Sequence, residues 1–195
     1  MTSVFISGGC KSGKSYHAQI LAKKLQQVPF PLYYWATMVP GDDEDWQRIE
    51  KHRHDRKNWG FETLEISKNI LSVPEKYNVN GTFLLDSVTA LLANEMFTEN
   101  GTIVADAPQK LSHELTLLVE RLNNIVFVSD FIYSDAYCYD ASTEEFRKGL
   151  ALIDRQLAGV CETVLELSGG MAIVHKSTTN RNPCPFHSVT DFEYP

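Results

Sequence analysis

Residues Gly8-Gly9-Cys10-Lys11-Ser12-Gly13-Lys14-Ser15 match G-x-x-x-x-G-K-[ST] in full. They stand between a short apolar run, Val4-Phe5-Ile6, and a segment with helical spacing. A strand, a glycine-bearing loop and a helix in that order form the setting in which a phosphate-binding loop works. Glycines at 8, 9 and 13 are expected to give the backbone conformations closed to residues with a Cβ. Several N–H groups and the helix N-terminus then converge on phosphate oxygens. Lys14 is expected against the β- and γ-phosphates of a nucleotide, and the Ser15 hydroxyl on Mg²⁺. Cys10 reads as a small neutral filler, because a loop engaged with phosphate leaves it nothing to attack.

The rest of the chain alternates between strand and helix signals. Helical spacing over 14–27 stops at Pro29 and Pro31, and 32–37 reads as a buried strand. Four acids, Asp42 to Asp45, then stand where a helix N-terminus favours negative charge, opening a polar helix to about Lys57. Strands are expected at 61–66, 82–86 and 125–129, and helices at 88–97 and 108–122, with a turn at Asn100-Gly101 between these two. Ser142-x-x-Glu145 reads as a capping box for a helix to Val160, and 163–167 with 171–175 as a hairpin around Ser168-Gly169-Gly170. This alternation predicts an α/β fold, a mostly parallel sheet with helices on both faces and an antiparallel C-terminal hairpin. One domain is expected over 1–176. An irregular tail is expected over 177–195, where Pro183, Pro185 and Pro195 interrupt any periodicity.

A formal net charge of −7 argues against nucleic acid or an anionic membrane as general partners, so any anion site must be local. No apolar run approaches the roughly 20 residues that span a bilayer, and no leader pattern precedes Val4. The four cysteines, at 10, 138, 161 and 184, form no C-x-x-C pair. Reduced thiols in a cytoplasmic protein without membrane insertion are the expectation.

Two further places carry chemistry. Asp86 ends the 82–86 strand as the second acidic motif of phosphate-loop enzymes does, which makes it a candidate Mg²⁺ ligand beside Ser15. The alternative is an Asp opening a turn or capping the helix from Val88. Arg48, His52 and Arg56 fall at i, i+4 and i+8, which stacks two guanidinium groups around an imidazole on one helical face. Either this is a solvated helix paired with Glu44 and Asp45, or an anion site in which neighbouring cations keep His52 neutral, as a nucleophile requires. His54 competes with His52 for that role but lies on nearly the opposite face.

Taken together these segments resemble a known family, the bifunctional adenosylcobinamide kinase and adenosylcobinamide-phosphate guanylyltransferase of cobalamin biosynthesis. The resemblance rests on the loop at Gly8 to Ser15, on Tyr34-Trp35-Ala36-Thr37, and on Arg48-Ile49 followed by His52 and Arg56. Thr63-Leu64-Glu65, and Leu84-Leu85-Asp86-Ser87-Val88-Thr89 with the later Asn94, complete it. It implies a RecA-like phosphate-loop NTPase domain, a homo-oligomer (a trimer) and a corrinoid substrate, with GTP and ATP as nucleotide substrates. It also implies a two-step reaction. A nucleoside triphosphate phosphorylates adenosylcobinamide, then His52 takes GMP from GTP and passes it to the corrinoid phosphate, giving adenosylcobinamide-GDP. Arg53, His54, Asp55 and Arg56 would line the guanylyl site with Glu65 and Asp86 nearby, and Thr37 and Met38 would lie close to the nucleotide.

The chain departs from the family after the 125–129 strand. N-E-x-G is replaced by Asp130-Phe131-Ile132-Tyr133, and in the last long helix Ala151 and Asp154 stand near a small residue and an Asn of the family. Asp130 or Asp135 is a candidate for the missing acid, with exposed turn residues as the alternative. Two rival readings follow: a divergent one-step kinase or nucleotidyltransferase on another acceptor, and a non-catalytic nucleotide-binding paralogue.

Overall fold

The computed structural model describes residues 1–98 and 100–178; within these, the side chains of Arg48, Lys51, His52 and Asp55 are not described. Most of the expected tail, 177–195, lies outside the described residues. In chain order the elements are β1 (Thr2–Gly8), α1 (Lys14–Leu25), β2 (Leu32–Ala36), α2 (Asp43–Arg56) and β3 (Glu62–Glu65). A 3₁₀ turn (Ile70–Ser72) leads into α3 (Val73–Lys76), followed by β4 (Thr82–Asp86), α4 (Val88–Met96) and α5 (Ala107–Arg121). The chain continues with β5 (Asn124–Asp130), α6 (Ala141–Val160), β6 (Thr163–Ser168) and β7 (Met171–Ser177).

The seven strands among the described residues form one sheet in the order β3-β2-β4-β5-β1-β6-β7. All pairs are parallel except β6 with β7, the antiparallel hairpin expected at the C-terminal edge. Alternation along the central strands divides the core. Val4 and Ile6, Leu84, and Val126 and Val128 face α1 through Ala18, Leu21 and Ala22. Phe5, Leu85, Ile125 and Phe127 face the opposite layer, where Leu91, Leu111, Leu115, Leu150 and Ile153 come from α4, α5 and α6. Strands buried on both faces read as continuous apolar runs, which is why β4 and β5 stand out in the sequence.

Three local details differ from expectation. α1 ends at Leu25. The cap of α6 is Asp140, whose carboxylate accepts from the backbone N–H groups of Ser142 and Thr143, so Ser142 is not the capping residue. A carboxylate takes two orphan donors at once there, and Glu145 pairs with Lys148 instead. The Ile70–Lys76 turns were not anticipated, since they are too short to show periodicity. The turn at Gly101 (φ 75°) is present, closing an antiparallel bridge between Phe97 and Ile103.

Candidate nucleotide site

The loop after β1 uses its glycines for different reasons. Gly13 takes a left-handed conformation (φ 87°), as expected, immediately before α1. Gly8 has no positive φ, but a Cβ there would lie 2.4 Å from the Leu167 carbonyl oxygen of neighbouring β6. Gly9 meets neither constraint, because a Cβ would find open space, and Lys11 (φ 57°) supplies the second left-handed residue. The Ser12 hydroxyl is buried without a hydrogen-bond partner. An orphaned buried donor in such a loop suits a ligand rich in acceptors. Cys10 is exposed.

Lys14 is only 7% exposed and folds back over the loop. Its ammonium donates to the Gly9 carbonyl oxygen at 2.7 Å and pairs with Asp130 Oδ1 at 2.9 Å. Asp130 arrives there by topology. β5 lies beside β1 with Gly8 opposite Asp130, the Phe131 N–H donates to the Gly8 carbonyl at 2.9 Å, and the Asp130 N–H donates to Thr89 Oγ1 at 2.9 Å. The candidate "missing acid" at 130 is thus fixed against the phosphate loop. Asp135 instead pairs with Arg147 at 2.9 Å in the segment before α6.

Asp86 ends β4, two strands from β1. The cap of the following helix is Ser87, whose side chain accepts from the Ala90 N–H, so the capping alternative for Asp86 falls away. Asp86 Oδ2 accepts from the Tyr34 hydroxyl at 2.7 Å. Thr37 is wholly buried and does not line the cleft. Its hydroxyl accepts from the Ser87 N–H and donates to the Ser87 carbonyl, while its own carbonyl accepts from Asn94, so it pins the strand end that presents Asp86.

α2 forms the facing wall. Asp42 caps it, accepting from the Asp45 N–H at 2.9 Å, and acids in its first turn with bases in its last suit the helix dipole. Trp46, Ile49, Arg53 and Arg56 face the cleft at spacings of three, four and three. That stripe was missed in the sequence, where charge obscured Trp46 and Ile49. Arg56 is 6% exposed with its guanidinium carbon 3.5 Å from the centre of the Tyr34 ring. Tyr34 therefore ties α2 to β4 through its face and its hydroxyl. Arg53 pairs with Glu65 and, at 3.1 Å, with Glu50, which raises its pKa. His54 is exposed and does not line the cleft; His52 lies on the same helix, one turn before Arg56.

The result is a cleft of about 500 Å³ that brings together Ser15, Met38, Arg53, Arg56, Glu65, Asp86 and Asp130. Among the described residues no group of three or more His, Cys, Asp or Glu could hold a metal. A hydroxyl and a carboxylate converging on a phosphate site nevertheless suit Mg²⁺, which keeps several waters and takes few protein oxygens. No helix among the described residues is long and apolar enough to cross a membrane.

A phosphate loop on β1, one strand between it and the acid-bearing β4, and a cleft at the carboxyl ends of parallel strands define a RecA-like phosphate-loop NTPase domain. The PH0250 protein of Pyrococcus horikoshii OT3 shares this fold. It is 13% identical, with 92% of this chain and 88% of that one covered and a TM-score of 0.52. The flagellar accessory protein FlaH of Methanocaldococcus jannaschii is 15% identical over 90% of this chain and 78% of its own, with a TM-score of 0.48. The family model described as cobinamide kinase / cobinamide phosphate guanyltransferase matches residues 4–174, and the chain belongs to that family. The bifunctional adenosylcobalamin biosynthesis protein CobU of Escherichia coli K12 is 26% identical over 182 residues, covering 87% of this chain and 97% of the relative.

Proposed function

We propose that this protein is a bifunctional enzyme of cobalamin biosynthesis that phosphorylates adenosylcobinamide and then guanylylates the product. Supporting the reading, beside family membership, is one observation. Ser15, Asp86, Arg53 and Arg56 come from three distant segments and line a single cleft with the phosphate loop at one end. Lys14 and the loop N–H groups would hold the β- and γ-phosphates of GTP or ATP. Ser15 and Asp86 would hold Mg²⁺, which supplies charge neutralisation along the phosphates.

In the guanylyl half-reaction a neutral His52 ring nitrogen attacks the α-phosphorus of GTP. An N–P bond forms, the bond to the α,β-bridging oxygen breaks, and pyrophosphate leaves with the electron pair. A phosphate oxygen of the corrinoid then attacks the same phosphorus, and the N–P bond breaks. Arg53 and Arg56, on the wall that carries His52, would offset the negative charge that builds on the α-phosphate. The chain would act in the cytoplasm as a homo-oligomer, a trimer on the family resemblance.

The test is intact-protein mass after incubation with GTP and Mg²⁺. A gain of one GMP, acid-labile, kept in His54→Ala and lost in His52→Ala, is expected. Absence of the adduct in the wild type, with GTP binding confirmed by dialysis, would remove the histidine intermediate.

A further inference from the structure

We propose that Asp130 is a catalytic residue of the kinase half-reaction, the carboxylate that accepts the proton of the attacking hydroxyl. The proposal rests on the functional reading above and adds a role that the phosphate loop and Asp86 leave open. Among the described residues three acids line the cleft: Glu65, Asp86 and Asp130. Glu65 is paired with Arg53 at the α2 end. Asp86 receives the Tyr34 hydroxyl and sits two strands from β1. Asp130 alone of the three touches Lys14, at 2.9 Å.

That contact locates it chemically. In a phosphate loop the lysine marks the β- and γ-phosphates, so a carboxylate within hydrogen-bond distance of Lys14 Nζ stands beside the phosphorus to be transferred. Its backbone is fixed on both sides, by Thr89 and by the β1 register. The side chain is 34% exposed, open to the cleft. When a triphosphate enters, Lys14 exchanges Asp130 Oδ1 for phosphate oxygens, and Oδ1 is released where the acceptor must approach. The hydroxyl oxygen then attacks the γ-phosphorus and a new O–P bond forms. The bond to the β,γ-bridging oxygen breaks, the nucleoside diphosphate leaves with the pair, and the proton passes to Asp130 and on to solvent.

An acid that merely parks Lys14 makes the opposite prediction. Removing a parking partner tightens nucleotide binding and leaves turnover intact or faster, whereas removing a proton acceptor slows the chemical step. The experiment compares wild type, Asp130→Asn and Asp130→Glu as full chains in single-turnover phosphorylation of adenosylcobinamide at saturating ATP or GTP. GTP affinity and GMP-adduct formation are measured alongside. Asp130→Asn should lose at least about a hundredfold in the phosphoryl step, with GTP bound at least as tightly. The loss in adduct formation should be at least about tenfold smaller, since no acceptor hydroxyl is deprotonated there. Asp130→Glu should recover part of the phosphoryl step.

Phosphorylation by Asp130→Asn within about threefold of wild type would overturn the proposal. So would parallel loss of both half-reactions, which signals a structural role, or recovery in excess Mg²⁺, which signals a metal role. If the wild type does not phosphorylate adenosylcobinamide, the functional reading falls by itself. Basal GTP hydrolysis, with water as acceptor, then decides the role of Asp130: a comparable drop in Asp130→Asn upholds it and unchanged hydrolysis overturns it.

Discussion

At the phosphate end of the cleft, Asp130 ends β5 with Gly8 of β1 opposite it, and Lys14 opens α1 at the far side of the loop that follows Gly8. On the opposite wall, Trp46, Ile49, Arg53 and Arg56 project from one helix, and the described side-chain ties from it to the sheet are Arg56 on Tyr34 and Arg53 on Glu65. A position set by a strand ladder shifts only if the ladder breaks, while one set by side-chain contacts changes with a rotamer. Phosphoryl chemistry needs donors held in advance of the charge they stabilise. The molecule holds the loop end of the cleft through its backbone and builds the opposite wall from side chains.

The largest expected effect tests the rigid end. Lys14→Ala should lower kcat/KM for GTP turnover by about a hundredfold to a thousandfold, the usual effect of losing one preorganised donor to a developing charge. Steady-state kinetics on the full chain check it. A loss below about tenfold would mean that the phosphates are held elsewhere, and the contrast between the two walls would collapse.

What the sequence revealed divides along the same line. The loop, the strand ending in Asp86 and the apolar strands β4 and β5 were legible, because each is a local signal within about ten residues. The Lys14 pair with Asp130 was not, since the two are joined only when β5 settles beside β1. The Thr37 hydroxyl bonds Ser87 across the ends of neighbouring strands, a contact between residues fifty positions apart. Nothing local distinguishes a threonine that touches a ligand from one that holds a strand end. Charge counting described α2 as polar and missed the Trp46 and Ile49 stripe, which acquires meaning only once a cleft lies against it.

A smaller effect probes what lies behind the phosphate end. Asp154 of α6 is buried, and burial pushes its carboxyl up to about 7 from 3.8, the charge of Asp130 adding to the shift. Tyr133 donates its hydroxyl to Asp154 Oδ2 at 3.1 Å, and its own pKa is raised by burial. The folded protein therefore holds a proton here that the unfolded chain releases. This contribution to stability is full below 3.8, falls as pH rises, and is gone above about 7. Asp154→Asn keeps an acceptor for Tyr133 and removes the titration. Urea unfolding between pH 4 and pH 8 should show the wild type losing stability over the range in which the variant is flatter. Equal slopes would place the Asp154 carboxyl in solvent contact and the phosphate end on a less rigid base.

The smallest effects separate two arginines on one helix. Arg56 is buried over Tyr34, where a desolvated cation on a ring contributes about 2 kcal/mol, so Arg56→Ala should lower the Tm by about 4 to 8 °C. Arg56→Lys should recover little, because a compact ammonium does not stack as the planar guanidinium does. Arg53 is paired with Glu50 and Glu65 in solvent, where screening leaves little net gain. Arg53→Ala should therefore move the Tm by less than about 2 °C. Thermal melts of the three variants decide between the readings. If Arg53→Ala proves as damaging as Arg56→Ala, the α2 wall is held as firmly along its exposed side as at Tyr34, and the division between a rigid and a side-chain-built end of the cleft fails.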